Sequence, residues 1–349
     1  MLVMVKRNLA LALLLALIVP VIAACGNPQT GTNTGATAVT QPLPTGDVMI
    51  QPTGGATGAT AVTQPLPTGD AVAQPTGDVL VAKPTDAAGG STGGAASGKL
   101  TLAGSSALLP LMQAAAEQFQ AKNPGAQITV TAGGSGKGRS QVCQGQIDIG
   151  NSDVPLSDKE KTELNCADGV ETAVAVQAFA PVANKKGPGS VTSLTKDQLV
   201  GIFSGAITNW KDVGGDDQEI VLINRLKGSG TRSQMGKFLF GGDDTKFATG
   251  ASEEDNSQTV LTTVSQTPGA ISYLSFSYLS NPDILALSVD GVAPTKADIQ
   301  NGTWKIGGPG YAITKGQPGP LAKAFLDFVT SDEFQKSEAF TKAGVVPVK

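Results

Sequence analysis

Lys99-Leu-Thr-Leu-Ala-Gly104, followed at once by Ser105-Ser-Ala-Leu-Leu-Pro110, decides how this chain is read. The first residues alternate apolar and polar side chains, as a half-buried strand does. Leu108, Leu111, Met112, Ala115 and Phe119 then recur at helical spacing until Asn123-Pro-Gly125 stops the run. Gln127-Ile-Thr-Val-Thr131 is the next strand, a Gly-rich loop and a short helix through Val142 follow, and Ile147-Asp-Ile-Gly150 reads as a third strand. Such alternation predicts parallel βαβ units, hence an α/β fold.

The same pattern continues downstream. Ser157-Asp-Lys-Glu160 and Thr195-Lys-Asp-Gln198 have the spacing of capping boxes. Glu219-Ile-Val-Leu-Ile-Asn224 predicts a buried strand, and Gly228-Ser-Gly-Thr231 opens a helix carrying Met235, Phe238 and Leu239. Gly269-Ala-Ile-Ser-Tyr273 and Ile284 to Val289 are further strands, and a C-terminal helix uses Leu321, Phe325 and Phe328.

Upstream the composition changes. Every aromatic residue of the 349 lies at or after Phe119, and between Gly26 and Gly98 the only charges are Asp47, Asp70, Asp78, Lys83 and Asp86. A packed core is therefore expected only in the last two-thirds of the chain. Residues 35–47 recur unchanged at 58–70, but two copies without aromatic residues cannot offset the entropy of ordering. Residues 25–98 are expected to be a disordered Gly/Pro/Thr tether, whether a reach-giving spacer or a merely solubilising one.

Ahead of the tether, Lys6 and Arg7 precede an apolar run from Leu9 to Ala24 that is short for a span and contains Pro20. It reads as a signal peptide, 1–24. Ile22-Ala-Ala-Cys25-Gly26 resembles a bacterial lipobox, which implies that Cys25 carries acyl chains such as palmitate and anchors the protein without spanning a membrane. The alternative is an ordinary secretory signal with an incidental Cys.

Composition narrows the chemistry. The chain has no His, three Cys, and 25 Lys+Arg against 29 Asp+Glu, a net charge of −4. His-based triads and most zinc sites are excluded, no metal or cofactor is expected, and no basic field points to nucleic acid. Cys143 and Cys166 are either a disulfide, favoured by export, or two buried thiols. A catalytic Cys lacks a His to activate it.

The informative feature recurs three times: a strand candidate runs into a Gly/Ser turn that opens a helix. The turns are Gly104-Ser-Ser-Ala107, Gly134-Ser-Gly-Lys-Gly138 and Gly228-Ser-Gly-Thr231. Helix-opening N–H groups and hydroxyls make each a small anion site, though a Ser in any one of them alone is most often just an N-cap. Neither a P-loop nor a dinucleotide fingerprint is met. Asp153, in Asp148-Ile-Gly-Asn-Ser-Asp153, would repel an anion unless that anion carries a proton to donate. Its plainer role is a loop cap. Arg225 could add a bidentate charge-assisted contact.

Together with Ile202-Phe-Ser-Gly-Ala-Ile-Thr-Asn-Trp210 and Pro268-Gly-Ala-Ile-Ser-Tyr273, these motifs stand in the order seen in phosphate-binding lipoproteins of the phosphate-specific ABC transporter. The chain resembles that family over about 99–349. The resemblance implies a two-lobed type II periplasmic-binding-protein fold, with lobe I at 99–180 plus 304–349 and lobe II at 181–303. It implies inorganic phosphate held by Ser105, Ser106, Ala107, Ser135, Asp153, Arg225, Ser229, Gly230 and Thr231, and delivery to permease subunits by a monomeric, extracytoplasmic, non-enzymatic protein. Ala107, where Thr is frequent, could contribute only main chain. Lys137 and Arg139 are expected to add positive potential near the mouth, and Asn209, Trp210 and Tyr273 to be structural. The other readings are a receptor for molybdate or sulfate, a secreted phosphatase or serine hydrolase using Ser135 or Ser229, and an adhesin or sensor without a transporter.

Overall fold

The computed structural model describes residues 96–348. The expected signal peptide, Cys25 and all but the last three residues of the tether lie outside them. In chain order the elements are β1 (Gly98–Gly104), α1 (Leu109–Lys122), β2 (Ala126–Ala132), α2 (Ser135–Cys143), β3 (Ile149–Ser152), α3 (Asp158–Glu163), β4 (Gly169–Asn184), β5 (Ser193–Leu194), α4 (Lys196–Phe203) and β6 (Val221–Arg225). There follow α5 (Gly230–Phe240), β7 (Ser252–Glu254), α6 (Ser257–Gln266), β8 (Ala270–Ser275), β9 (Ile284–Ala286), β10 (Ser288–Val289), α7 (Lys296–Gln300), β11 (Gly307–Lys315) and α8 (Pro320–Val329).

One mixed sheet organises most of the strands, in the order β2-β1-β3-β11-β4-β8-β6-β7, with β9 also on β4; β5 and β10 form a separate pair. The expected parallel pairing holds on both flanks: β1 with β2 and β3, and β6 with β7 and β8. The middle differs. β11 runs antiparallel to β3 and β4, and β4 antiparallel to β8 and β9. β4 is the reason: its sixteen residues pair with β11 through the first ten and with β8 and β9 beyond. The sequence-expected lobe boundary at 180/181 falls inside this strand.

Hydrophobic burial is divided accordingly. Around β1, α1 and α8 a core gathers Leu102, Leu111, Met112, Phe119 and Phe325, with the Phe119 and Phe325 rings edge to face at 5.5 Å. This is the helical spacing read from the sequence, with Pro110 placed where a helix start tolerates its missing N–H. A second core, around α4, α5 and β8, holds Phe179, Phe203, Trp210, Met235 and Tyr273. Trp210 donates its indole N–H to Gly269 O (2.9 Å) and Tyr273 its hydroxyl to Asn224, so both are built into this packing.

Both capping boxes are formed. Ser157 Oγ accepts from Glu160 N (3.2 Å) while Glu160 accepts from Ser157 N (3.0 Å), and Thr195 and Gln198 repeat the exchange at 3.1 and 2.8 Å. Three strand predictions shift. β6 runs Val221–Arg225 rather than Glu219–Asn224, Ile220 N being bonded instead to Thr208 O (2.8 Å). β3 begins at Ile149, not Ile147, because the Asp148 carboxylate takes the N–H and hydroxyl of Thr101 (2.7 and 2.8 Å) before the backbone ladder starts. The run Ile284–Val289 breaks in two, with Leu287 N bonded to Pro181 O (2.9 Å) between the pieces.

Cys143, at the end of α2, is bridged to Cys166, 23 residues on, with Cα atoms 5.2 Å apart. The bridge sits in a small core with Val142, Leu156 and Ile313. Closing such a loop restricts the unfolded chain by about 3 kcal/mol. A Cys143→Ser, Cys166→Ser double variant should lose stability of about that size, read as a lower denaturant midpoint with a steeper slope, because the unbridged unfolded chain is more expanded.

Candidate functional site

Each of the three turns begins with a glycine in the left-handed region: Gly104 (φ 133°), Gly134 (φ 83°) and Gly228 (φ 88°). At Gly104 a side chain is also excluded by space, since a Cβ would lie 2.1 Å from Asn151 O. The turns meet. Gly133 N and Gly134 N donate to Gly104 O (2.9 and 2.8 Å), joining the first two, and Gly136 N donates to Gly228 O (2.8 Å), joining the second to the third. Ser105 N donates to Asn151 O (2.8 Å), which brings the first turn beside the end of β3, where Asp153 stands.

Asp153 is the centre of the cluster and is about 1% exposed. Ser105 Oγ and Gln177 Nε2 (3.1 Å) donate to its Oδ1, and Thr231 Oγ1 (3.2 Å) reaches its Oδ2. Its own N–H donates to Ser135 Oγ (3.0 Å), and its carbonyl accepts from Gln234 Nε2 (2.6 Å). Burial pushes the Asp153 carboxyl above the ordinary carboxylate range. The bonds from Ser105 and Gln177, the Arg225 charge and the Thr231 bond pull against that.

Arg225, at the end of β6, is equally buried. Its Nε donates to Glu254 O (3.2 Å) and its Nη2 to Asp255 O (3.0 Å), with Nη2 also 3.4 Å from Ser106 Oγ and Nη1 3.5 Å from Ser257 Oγ. Burial lowers its pKa, opposed by Tyr273 and Asp153 among others. Among the described residues Arg225 and Asp153 form no direct ion pair, although each feels the other's charge. Two buried opposite charges are thus held apart by hydroxyl-bearing turns, and a small guest carrying both a proton and acceptor oxygens would satisfy both.

Ser105, Ser106, Ala107, Ser135, Asp153, Arg225, Gly230 and Thr231 are thus drawn into one buried cluster. Gly230 is the closest approach: a Cβ there would fall 2.2 Å from Ser135 Oγ and 2.8 Å from Asp153 Oδ2. Two expected roles change. The Ala107 N–H, expected to face the anion, donates to Ser105 Oγ (3.1 Å), as does Leu108 N (3.1 Å). The Ser229 hydroxyl, though buried, accepts from Arg232 N (3.3 Å) and caps α5.

Arg139 is also not at the mouth. It is buried against Glu160 (Nε–Oε1 2.8 Å) and Ser152 Oγ (2.9 Å), where it fastens α2 to the start of α3. Lys137 remains exposed.

Four participants were not foreseen. Ser257 opens α6 and joins Ser106 through its N–H (3.0 Å) and hydroxyl (2.9 Å). Tyr278 donates to Ser106 O (2.8 Å), its phenol pushed up to about 12 by burial. Gln177 and Gln234 hold the two ends of Asp153. For Ser257 a signal was present in Asp255-Asn256-Ser257, since Asn256 caps α6 by accepting from Gln258 N and Thr259 N. The two glutamines carry no local signal. Among the described residues no group of three or more His, Cys, Asp or Glu side chains could hold a metal ion.

Residues 89–333 match the PBP superfamily domain. The phosphate-binding protein PstS of Bacillus subtilis is 45% identical over 253 residues, covering 72% of this chain and 82% of that protein. A substrate-binding protein from Clostridium perfringens, solved with bound phosphate, superposes with a TM-score of 0.67 at 31% identity, over 72% of this chain and all of that one. An ABC-type phosphate transport receptor from Vibrio cholerae gives 0.57 at 26% identity, over 71% of this chain and all of that one. With this domain match, this degree of identity and a shared fold, the chain belongs to the PBP superfamily and, within it, to the family of the phosphate-binding protein PstS.

Proposed function

We propose that this protein captures inorganic phosphate between its β1–β3 half and its β6–β8 half and delivers it to the permease of an ABC importer. The relatives named above are binding and transport proteins, and the site has the chemistry for that task. The observation that carries the reading is Asp153: a buried carboxylate inside a cluster of hydroxyl and N–H donors facing a buried guanidinium. A bare anion would be repelled there. A hydrogen phosphate donates its O–H to the carboxylate and accepts from the surrounding groups, with Arg225 balancing its charge. Sulfate has no proton to give. Titration calorimetry of the full chain with phosphate and with sulfate tests the reading; comparable affinities would overturn it.

In this reading the halves are the two lobes expected from the sequence, closing on the ligand by flexure of the strands between them. The Gly136–Gly228 and Gln234–Asp153 bonds tie one half to the other. The chain catalyses nothing. Turnover of a chromogenic phosphate ester, lost in Ser135→Ala, would contradict this.

The lipobox-like Ile22-Ala-Ala-Cys25 supports export, acylation at Cys25 and an extracytoplasmic site of action held at the membrane near its permease. Among the described residues no helix is long and apolar enough to cross a membrane. Cys25→Ser should move the protein from the membrane fraction to the soluble one, and the native protein's mass should show the acyl addition.

A further inference from the structure

We propose that Gln177 is the positioning residue that gives the site its selectivity, by holding Asp153 as a carboxylate that can only accept, so that the ligand must supply the proton. The inference rests on the phosphate reading and names a residue outside the three turns.

The argument follows the hydrogens. Ser105 Oγ accepts from both Ala107 N and Leu108 N (3.1 Å each), which occupies its lone pairs and sends its own hydrogen to Asp153 Oδ1. The second group on Oδ1 is the Gln177 amide nitrogen (3.1 Å), which can only donate. Two donors on Oδ1 leave no place for a proton there. Oδ2 has a single hydroxyl, Thr231, and lies against the bare Cα of Gly230, where a Cβ would stand only 2.8 Å from it, so it keeps the acceptor capacity that Oδ1 has already spent. Oδ2 is therefore the oxygen that meets the ligand. Were Asp153 to take up a proton, it would sit on Oδ2 and turn an acceptor into a donor, suited to a fully ionised oxyanion.

Gln177 is placed for this role at some cost. It is about 2% exposed, and its Oε1 has no hydrogen-bond partner, an uncommon state for a buried amide oxygen. Room for the amide is kept by Gly310, where a Cβ would lie 2.6 Å from Nε2. The other groups facing Asp153 do not duplicate it. From β6 comes the Arg225 charge and from beside β8 the Tyr278 phenol, while α2 and α5 supply only Ser135, Thr231 and Gln234. Arg139 is engaged by Glu160 and Ser152, and Arg232 by Asp244 and Glu253.

The test is a sulfate and phosphate titration from about pH 8 to about pH 5.5 on the full chain, comparing wild type, Asp153→Asn and Gln177→Met. Without the amide donor, Asp153 neutralises more readily as pH falls, and sulfate binds the neutral form. Sulfate affinity of Gln177→Met should therefore climb with acidity, approaching about tenfold per pH unit, while wild type stays weak throughout. Asp153→Asn should bind sulfate with no such slope. A flat sulfate profile in Gln177→Met, or an equal loss for both anions, would overturn the proposal while leaving the phosphate reading intact. Failure of wild type to prefer phosphate would overturn both. Gly310→Ala, which crowds the same amide, provides a second route should Gln177→Met not fold; it should show the same acid-dependent gain, and a flat profile there counts equally against the proposal.

Discussion

Asp153→Asn should bind sulfate on the order of a hundredfold more tightly than wild type while losing no more than about tenfold for phosphate. The asymmetry follows from the hydrogen inventory around this residue. In wild type a sulfate oxygen would be brought against a buried carboxylate, and a like-charge contact of that kind costs several kcal/mol. The amide removes the charge and presents a donor in its place. Phosphate loses the acceptor for its proton but keeps Arg225, Ser135, Thr231 and the turn N–H groups, and the lost charge repulsion offsets part of the damage. Competition calorimetry with both anions reads the effect directly. Equal losses for phosphate and sulfate would mean that Asp153 serves the fold alone.

The second large effect is expected from the smallest change. Gly230→Ala introduces one methyl group at a point where a Cβ would stand 2.2 Å from Ser135 Oγ and 2.7 Å from Asp153 Cβ. Both neighbours are buried and held by hydrogen bonds, so neither can withdraw without breaking them. Overpacking of this kind costs about 1–3 kcal/mol. In the proposed two-lobe reading Ser135 and Asp153 belong to the opposite half of the molecule, so the cost falls on the closed arrangement rather than on either half separately. Phosphate affinity should fall by up to about a hundredfold with little change in the thermal unfolding of the ligand-free protein. An equal drop in ligand-free stability would show that the methyl is felt without closure.

The contrast between what the sequence discloses and what it hides has a physical cause. The three turns were legible because their chemistry is local: a left-handed glycine, a hydroxyl and the start of a helix lie within four residues of one another. Asp153 stood out because a carboxylate among such turns contradicts its surroundings. Local logic also misled. Ser229 has the same Gly/Ser setting as Ser135, yet its hydroxyl caps its own helix. Arg139 read as a surface charge because its partner, Glu160, lies 21 residues away and is already half committed to a capping box. Gln177 was invisible because nothing in an alternating stretch of Ala and Val marks one glutamine as special; only the pairing of β4 with β11 carries it behind Asp153. The antiparallel middle of the sheet was hidden for the same reason, since β11 arrives from the far end of the chain.

The sixteen-residue strand β4 couples these observations, for it carries Gln177 in its first stretch and pairs with β8 in its second. At about 3.3 Å per residue it is a beam of roughly 50 Å, clamped on one side by a strand from the chain's end and on the other by strands from its middle. Any rocking of the molecule must therefore bend a member whose Gln177 touches the Asp153 carboxylate. In the proposed reading, occupancy of the site and curvature of the beam are one mechanical variable, so that a permease gripping the outer ends of that beam would sense, or force, the release of phosphate without touching it.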